Sequence, residues 1–379
     1  MSHPLLEMQK IGQSPWHDNI QRALLTSGKL AKMVAEGDIT GLTSNPTIFD
    51  QAIAKSSDYD EAIRKLARDG GGKTPEAIFD ALAIEDIRAA ADVFKPVYDR
   101  TKGVDGYVSI EVAPKFARDT EATAKEAQRL FKAVSKPNCM VKIPGTIEGL
   151  PAIERSIADG LNINVTLIFS LERYDKVMDA FISGLEKRAS AGGKVDGIAS
   201  VASFFVSRVD SAVDKLLSEK AAKASSPAEK SALEALMGKA AIANAKLAYE
   251  AFRKKFAGPR FTALRAKGAR VQRPLWASTS TKNPAYRDVY YVEELIGPDT
   301  VDTMPPATIE AMKDHGRIKS TLATGLDEAK AVLEKIAKAG IDMKAVTQKL
   351  EVDGVASFAQ SFDSLIKTVA ARRETALKV

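Results

Sequence analysis

The sequence predicts an α/β protein closed into a (β/α)8 TIM barrel, with extra helices after the sixth strand and at the C-terminus. Two observations carry that prediction. Short apolar runs of strand length recur along the chain, and amphipathic stretches with helical spacing lie between them. Strands that alternate with helices build βα units and a parallel sheet, and eight such units close a barrel.

The expected strands cover residues 14–18, 39–43, 106–111, 139–143, 163–169, 197–201, 274–278 and 300–304. The first is short and contains a proline. The fourth, Cys139-Met140-Val141-Lys142-Ile143, is a continuous apolar run stopped by Pro144-Gly145, the pattern of a strand buried on both faces. Helical spacing marks residues 121–134 and 172–188. From 208 to 268 the chain is rich in Ala, Lys and Glu, and Ser226, Pro227 and Glu229 form a capping-box signature that starts a new helix. This predicts paired helices packed outside the barrel. Beyond residue 306 the pattern is mainly helical, with Phe358, Phe362, Leu365, Ile366 and Val369 on one face of a terminal helix that docks on the barrel. Residues 1–379 are read as one domain, with the insertion at about 208–268 and a C-terminal extension at about 306–379.

Composition narrows the function. The chain is 45% hydrophobic and 27% charged, which is ordinary for a globular protein, and no apolar run approaches the ~18 residues a membrane span needs. The first residues lack a basic region followed by an apolar core, so a cytoplasmic protein is expected. Cys139 is the only cysteine, which excludes an internal disulfide, and His3, His17 and His315 lie too far apart to suggest a metal site. The net charge of +6 comes from acidic and basic residues interspersed, without a basic stripe among aromatics. That argues against nucleic acid and for small anionic ligands.

Lys142 is the anomaly. An ammonium in an apolar strand is costly unless it is paired or loses its proton, and a lysine with a depressed pKa can attack a carbonyl to form a Schiff base. Active sites of such barrels lie at the C-terminal ends of the strands. Here those ends carry Asp18, then Thr43-Ser44-Asn45-Pro46, Glu111, Lys142, then Asn162, Asn164 and Thr166, Ser203 and Ser278. One lysine and two carboxylates at one mouth suit Schiff-base aldol chemistry. Glu111 is placed to deliver protons through a bound water as the carbinolamine loses water, and Asp18 to take the proton of the C4 hydroxyl. The protonated imine is the electron sink, so neither metal nor cofactor is required.

Five ordered motifs carry a family resemblance. They are Leu42-Thr43-Ser44-Asn45-Pro46-Thr47, Val108-Ser109-Ile110-Glu111-Val112, Val141-Lys142-Ile143-Pro144, the run from Asn162 to Ser170, and Ser203-Phe204-Phe205-Val206-Ser207-Arg208. Together they resemble the successive signatures of transaldolase, in the longer bacterial form of that class I Schiff-base aldolase superfamily. The resemblance implies that Lys142 forms the Schiff base, Glu111 and Thr166 hold a catalytic water, and Asp18 is the acid/base at C4. It implies that Asn45 and Asn164 bind sugar hydroxyls, that Ser44 and Ser203 line the dihydroxyacetone pocket with Phe205 beside it, and that Arg208 binds phosphate. The family's Ser-Phe-Arg after the seventh strand is replaced by Ser278-Thr279-Ser280-Thr281-Lys282, so Ser278 and Lys282 are expected at the phosphate. Lys282 there is a point charge without a bidentate fork. The implied reaction moves a dihydroxyacetone unit from sedoheptulose 7-phosphate to glyceraldehyde 3-phosphate, giving erythrose 4-phosphate and fructose 6-phosphate.

The near alternative is a related aldolase that releases free dihydroxyacetone. Such relatives carry Gln in place of Glu111 and Tyr in place of Phe205. A non-catalytic sugar-phosphate binder would have lost Lys142, Glu111 or Asp18. The sequence leaves both a monomer and a homodimer open.

Overall fold

The computed structural model describes residues 3–69 and 74–378. Eight parallel strands pair in sequence order, and the last returns to the first to close a barrel. They are β1 (Gln13–Asp18), β2 (Gly41–Thr43), β3 (Val108–Glu111), β4 (Cys139–Pro144), β5 (Ile163–Ile168), β6 (Ser200–Phe205), β7 (Arg273–Ala277) and β8 (Thr300–Met304). Parallel strands are covered on both faces, so they read as apolar runs rather than alternating ones. β4 and β5 are buried at all six positions each. Between β1 and β2, Trp16 pairs with Gly41, where a Cβ would lie 2.4 Å from the indole Cε2. Only glycine lets these two strands close over that ring.

The sixth strand departs from expectation. It begins at Ser200 and runs through Ser203 to Phe205, not over 197–201. A serine inside an apolar strand looks like a terminator, yet Ser200 donates to the Ile163 carbonyl at 2.7 Å and accepts from Gln272 at 2.9 Å. Its neighbours satisfy the hydroxyl, so the strand continues. An unexpected helix, Pro4–Ile11, precedes β1 and buries Leu5 and Met8. β5 carries a register shift between Val165 and Ile168, with Leu167 at a left-handed φ of +59°.

Where paired helices were expected after β6, four are present: Ser207–Ala221, Pro227–Glu234, Ala240–Phe256 and Pro259–Arg265. The start of the second follows the capping signature. Ser226 Oγ accepts from the Glu229 amide at 3.2 Å, and the Glu229 carboxylate accepts from the amide and hydroxyl of Ser225 at 2.8 and 2.7 Å. The terminal helix Met343–Lys378 packs on Pro46–Lys55, Asp60–Asp69 and Pro75–Arg100, the helices that follow β2. Phe358, Leu365 and Val369 are buried there, while Phe362 and Ile366 are half-buried. A buried ion pair, Arg173 Nε to Glu351 Oε2 at 3.0 Å, ties this helix to the one after β5. No described helix is long and apolar enough to cross a membrane.

Candidate active site

β3, β4 and β5 run side by side with Glu111 opposite Lys142 and Lys142 opposite Asn164. Paired residues of parallel strands face the same side, so register alone brings these three together. Lys142 Nζ lies 3.5 Å from Glu111 Oε2, with the two side chains 6% and 5% exposed. At that distance the contact is a charge pair rather than a hydrogen bond, and Oε2 has no hydrogen-bond partner among the described residues. The amine donates instead to the Ser44 carbonyl at 3.1 Å. The wall around Lys142 is therefore not purely apolar: a carboxylate and a carbonyl face the amine. Burial raises the Glu111 carboxyl above its ordinary range. Lys142 opposes that shift, and the charge of Asp18 adds to it.

Asp18 ends β1 opposite Thr43, which donates to its Oδ1 at 2.7 Å. Thr166 is fully buried, and its hydroxyl has no partner among the described residues. Asn164 is also fully buried. Its amide donates to Ser109 Oγ at 3.1 Å and accepts from Ser203 Oγ at 2.7 Å. Ser44 turns its hydroxyl away to the Ser109 carbonyl at 2.8 Å, so what it presents to Lys142 is its own carbonyl. Asn45 caps the helix Pro46–Lys55, its Oδ1 accepting from the Ile48 amide at 3.0 Å, which leaves its NH2 to donate elsewhere.

One cavity of about 440 Å³ collects most of these groups. Asp18, Asn45, Lys142, Thr166, Ser203, Phe205, Arg208, Ser278 and Lys282 line it, together with Phe358 from the terminal helix. Ser44 and Glu111 line a neighbouring, more apolar cavity of about 350 Å³ that Asn45 shares, and Asn164 lines neither. Arg208 lies over the Phe205 ring, 5.2 Å from its centroid, and has no hydrogen bond or ion pair with a described residue. Burial lowers its pKa, with Asp18 acting in the opposite direction. Ser278 Oγ is 2.9 Å from Ser207 Oγ, and Lys282, exposed at the rim, donates to Ser280 at 2.9 Å.

Sequence reasoning placed Thr43 at the mouth without a role, missed Ser109 and Phe358, and misplaced Asn162, which precedes β5 and donates to the Pro137 and Cys139 carbonyls. Thr43 and Ser109 act through hydrogen bonds to predicted residues, and a polar residue inside an apolar strand was the available signal for Ser109. Nothing in its sequence surroundings ties Phe358 to a mouth built from strand ends.

Comparison with known proteins agrees with this geometry. The family model described as transaldolase/fructose-6-phosphate aldolase matches residues 15–369. A protein of Trichodesmium erythraeum (strain IMS101) named transaldolase is 48% identical over 371 residues, covering 97% of each chain. Transaldolases of Thermobifida fusca (strain YX) and Frankia alni are 48% and 49% identical, each aligned over 98% of this chain and over 98% and 97% of theirs. A match of that length and identity, over a closed barrel with a buried lysine at its mouth, means that the chain belongs to the transaldolase/fructose-6-phosphate aldolase family, among its transaldolases.

Proposed function

We propose that the chain transfers a dihydroxyacetone unit from sedoheptulose 7-phosphate to glyceraldehyde 3-phosphate through an imine on Lys142. The observation that carries this reading is the buried Lys142–Glu111 pair at 3.5 Å, beside a cavity that also holds Asp18 and Arg208, whose guanidinium has no hydrogen bond or ion pair with a described residue. The Lys142 amine adds to the ketone carbon, and the carbinolamine expels water to leave the protonated imine. Glu111, its carboxyl raised by burial, is suited to hold and return protons for that step. Glu111 Oε2 and Thr166 Oγ1 are both buried and without hydrogen-bond partners among the described residues, and one water bridging them would satisfy both.

Asp18 then takes the C4 hydroxyl proton as the C3–C4 bond breaks. Erythrose 4-phosphate leaves, and the bond's electron pair stays with the imine as an enamine. When the enamine carbon attacks glyceraldehyde 3-phosphate, Asp18 returns the proton to the new C4 oxygen. Hydrolysis of the imine frees fructose 6-phosphate and restores Lys142. Asn45 and Ser203 hold the dihydroxyacetone unit, Asn164 fixes the Ser203 hydroxyl and Ser44 takes a hydrogen bond from Lys142 through its carbonyl, while Arg208, Ser278 and Lys282 hold the phosphate. Phe205 carries no hydroxyl, so no phenolic proton donor stands there to release free dihydroxyacetone, which favours transfer over simple cleavage. The cytoplasm, where sugar phosphates are made and used, is the setting we propose.

Borohydride reduction in the presence of fructose 6-phosphate should fix one sugar per chain on Lys142, located by peptide mapping. Lys142→Ala should give no adduct and no transfer. An adduct on another lysine, or none in the wild type, overturns the reading.

A further inference from the structure

The loop after β7 meets the helical insertion through three tyrosines. The loop leaves the strand at Ser278, whose φ of +59° is left-handed. Its beginning is held at two points: Ser278 pairs with Ser207 at the start of the helix Ser207–Ala221, and Thr279 donates to Asp302 on β8 at 2.8 Å. Its far end is tied to the insertion. Tyr286 donates to Asp214 Oδ2 at 2.7 Å, Tyr290 to the Gly238 carbonyl at 2.9 Å, and Tyr291 to Asp210 Oδ2 at 2.9 Å. Between these anchors lie Ser280 and Lys282, which face the cavity.

Asp210 and Asp214 stand one turn apart on the helix Ser207–Ala221, whose second residue is Arg208. A single helix thus presents Arg208 to the cavity and grips the loop that brings Ser280 and Lys282 to it. Gly238 is the third node. Its amide donates to Asp214 Oδ1 at 2.9 Å, its φ is +71°, and a Cβ there would lie 2.7 Å from Tyr286 Cζ. The insertion approaches the loop more closely than any side chain at position 238 permits. Asp214 is the double node, taking the Tyr286 hydroxyl on one oxygen and the Gly238 amide on the other, which suits a latch that must hold a loop in register.

We propose that this tyrosine–aspartate latch sets the spacing between Arg208 and the Ser278–Lys282 loop, so that the helical insertion governs affinity for the phosphate end of the sugar. The inference rests on the reading that Arg208, Ser278 and Lys282 take the phosphate. Tyr286, Tyr291, Asp210 and Asp214 line neither cavity at the mouth and are positioning residues. Loss of a grip on a remote part of the substrate weakens binding before it slows chemistry.

The test uses Tyr286→Phe and Asp214→Asn in the full chain. Half-saturation is measured for borohydride trapping with fructose 6-phosphate and with dihydroxyacetone, which has no phosphate and reports on Lys142 alone. Loss of one hydrogen bond to a carboxylate should raise the fructose 6-phosphate value roughly 3- to 30-fold, leaving the dihydroxyacetone value and kcat unchanged. Equal rises for both ligands, or no rise in either variant, overturn the latch. Arg208→Ala runs alongside. If it too fails to separate the two ligands, the phosphate reading is at fault. If it separates them while the latch variants do not, only the latch is refuted.

Discussion

Asp302 lies fully buried on β8, and desolvation pushes its carboxyl up to about 7. Thr279 donates to its Oδ1 at 2.8 Å, while Oδ2 has no partner among the described residues. In the unfolded chain the same group titrates near 3.8, so the folded state holds the proton more tightly. Below about pH 4 the carboxyl is neutral in both states and costs nothing. Between about pH 4 and about pH 7 the unfolded chain ionises first and stability falls, and above that the deficit stays constant. Between 3.8 and about 7, at about 1.36 kcal/mol for each step of one in pH, the deficit grows to about 4 kcal/mol.

Asp302→Asn removes this deficit. The amide oxygen keeps the bond from Thr279, and the new NH2 takes the unpartnered position at a cost of roughly 1–2 kcal/mol. The variant should therefore be more stable than wild type by about 2 kcal/mol at pH 8 and less stable by about 1–2 kcal/mol at pH 4. A chain of 379 residues has an unfolding entropy of roughly 0.8 kcal/mol per degree, so the expected Tm changes are about +2 to +3 °C and −1 to −2 °C. Scanning calorimetry of both proteins at the two pH values decides it. Asp210, also raised by burial to about 7, bends the wild-type curve with pH in the same direction. It is present in both proteins, so the difference between them isolates Asp302. A difference that does not change sign with pH refutes the reasoning.

Glu111→Gln and Asp18→Asn should each lower kcat by roughly 10²–10⁴, the scale of positioned acid/base catalysis, in a steady-state transfer assay. Unaltered turnover in either variant would mean that the carboxyl has another job. Glu351→Gln should destabilise the fold by roughly 3 kcal/mol, because it leaves the Arg173 charge buried without its partner. A thermal melt showing a loss under about 1 kcal/mol would mean that water reaches the pair.

The barrel was readable because a parallel strand covered on both faces must be an apolar run, and β4 and β5 are such runs. Boundaries were lost where the chain departs from that rule. Ser200 and Ser203 look like punctuation, but Ile163, Gln272 and Asn164 engage their hydroxyls. The helix Pro4–Ile11 carried a signal that went unused: proline at its first position, and at its end Gly12 with φ +100°. The bulge in β5 left no mark, since Leu167 is neither glycine nor asparagine and its left-handed backbone is imposed by its surroundings.

The polar groups of the site were legible for a similar reason. Register sets Glu111, Lys142 and Asn164 side by side once their strands are adjacent, and the strand order is that of the sequence. What one strand cannot encode is what its side chains spend themselves on. Ser44 and Asn45 both stand where the motif puts them, yet a carbonyl on β3 claims one hydroxyl and a helix start claims one amide oxygen. Only tertiary contact decides those commitments. The same holds for the far end of the chain. Phe358 lines the larger cavity at the mouth because the helix that bears it crosses the helices after β2 and is pinned by Glu351 to Arg173. The apolar face from Phe358 to Val369 announces that the helix must dock, but an apolar face is blind to which surface receives it. The mouth of this barrel is therefore written in two codes: strand ends supply its chemistry in order along the sequence, and helices distant in sequence supply its walls through packing alone.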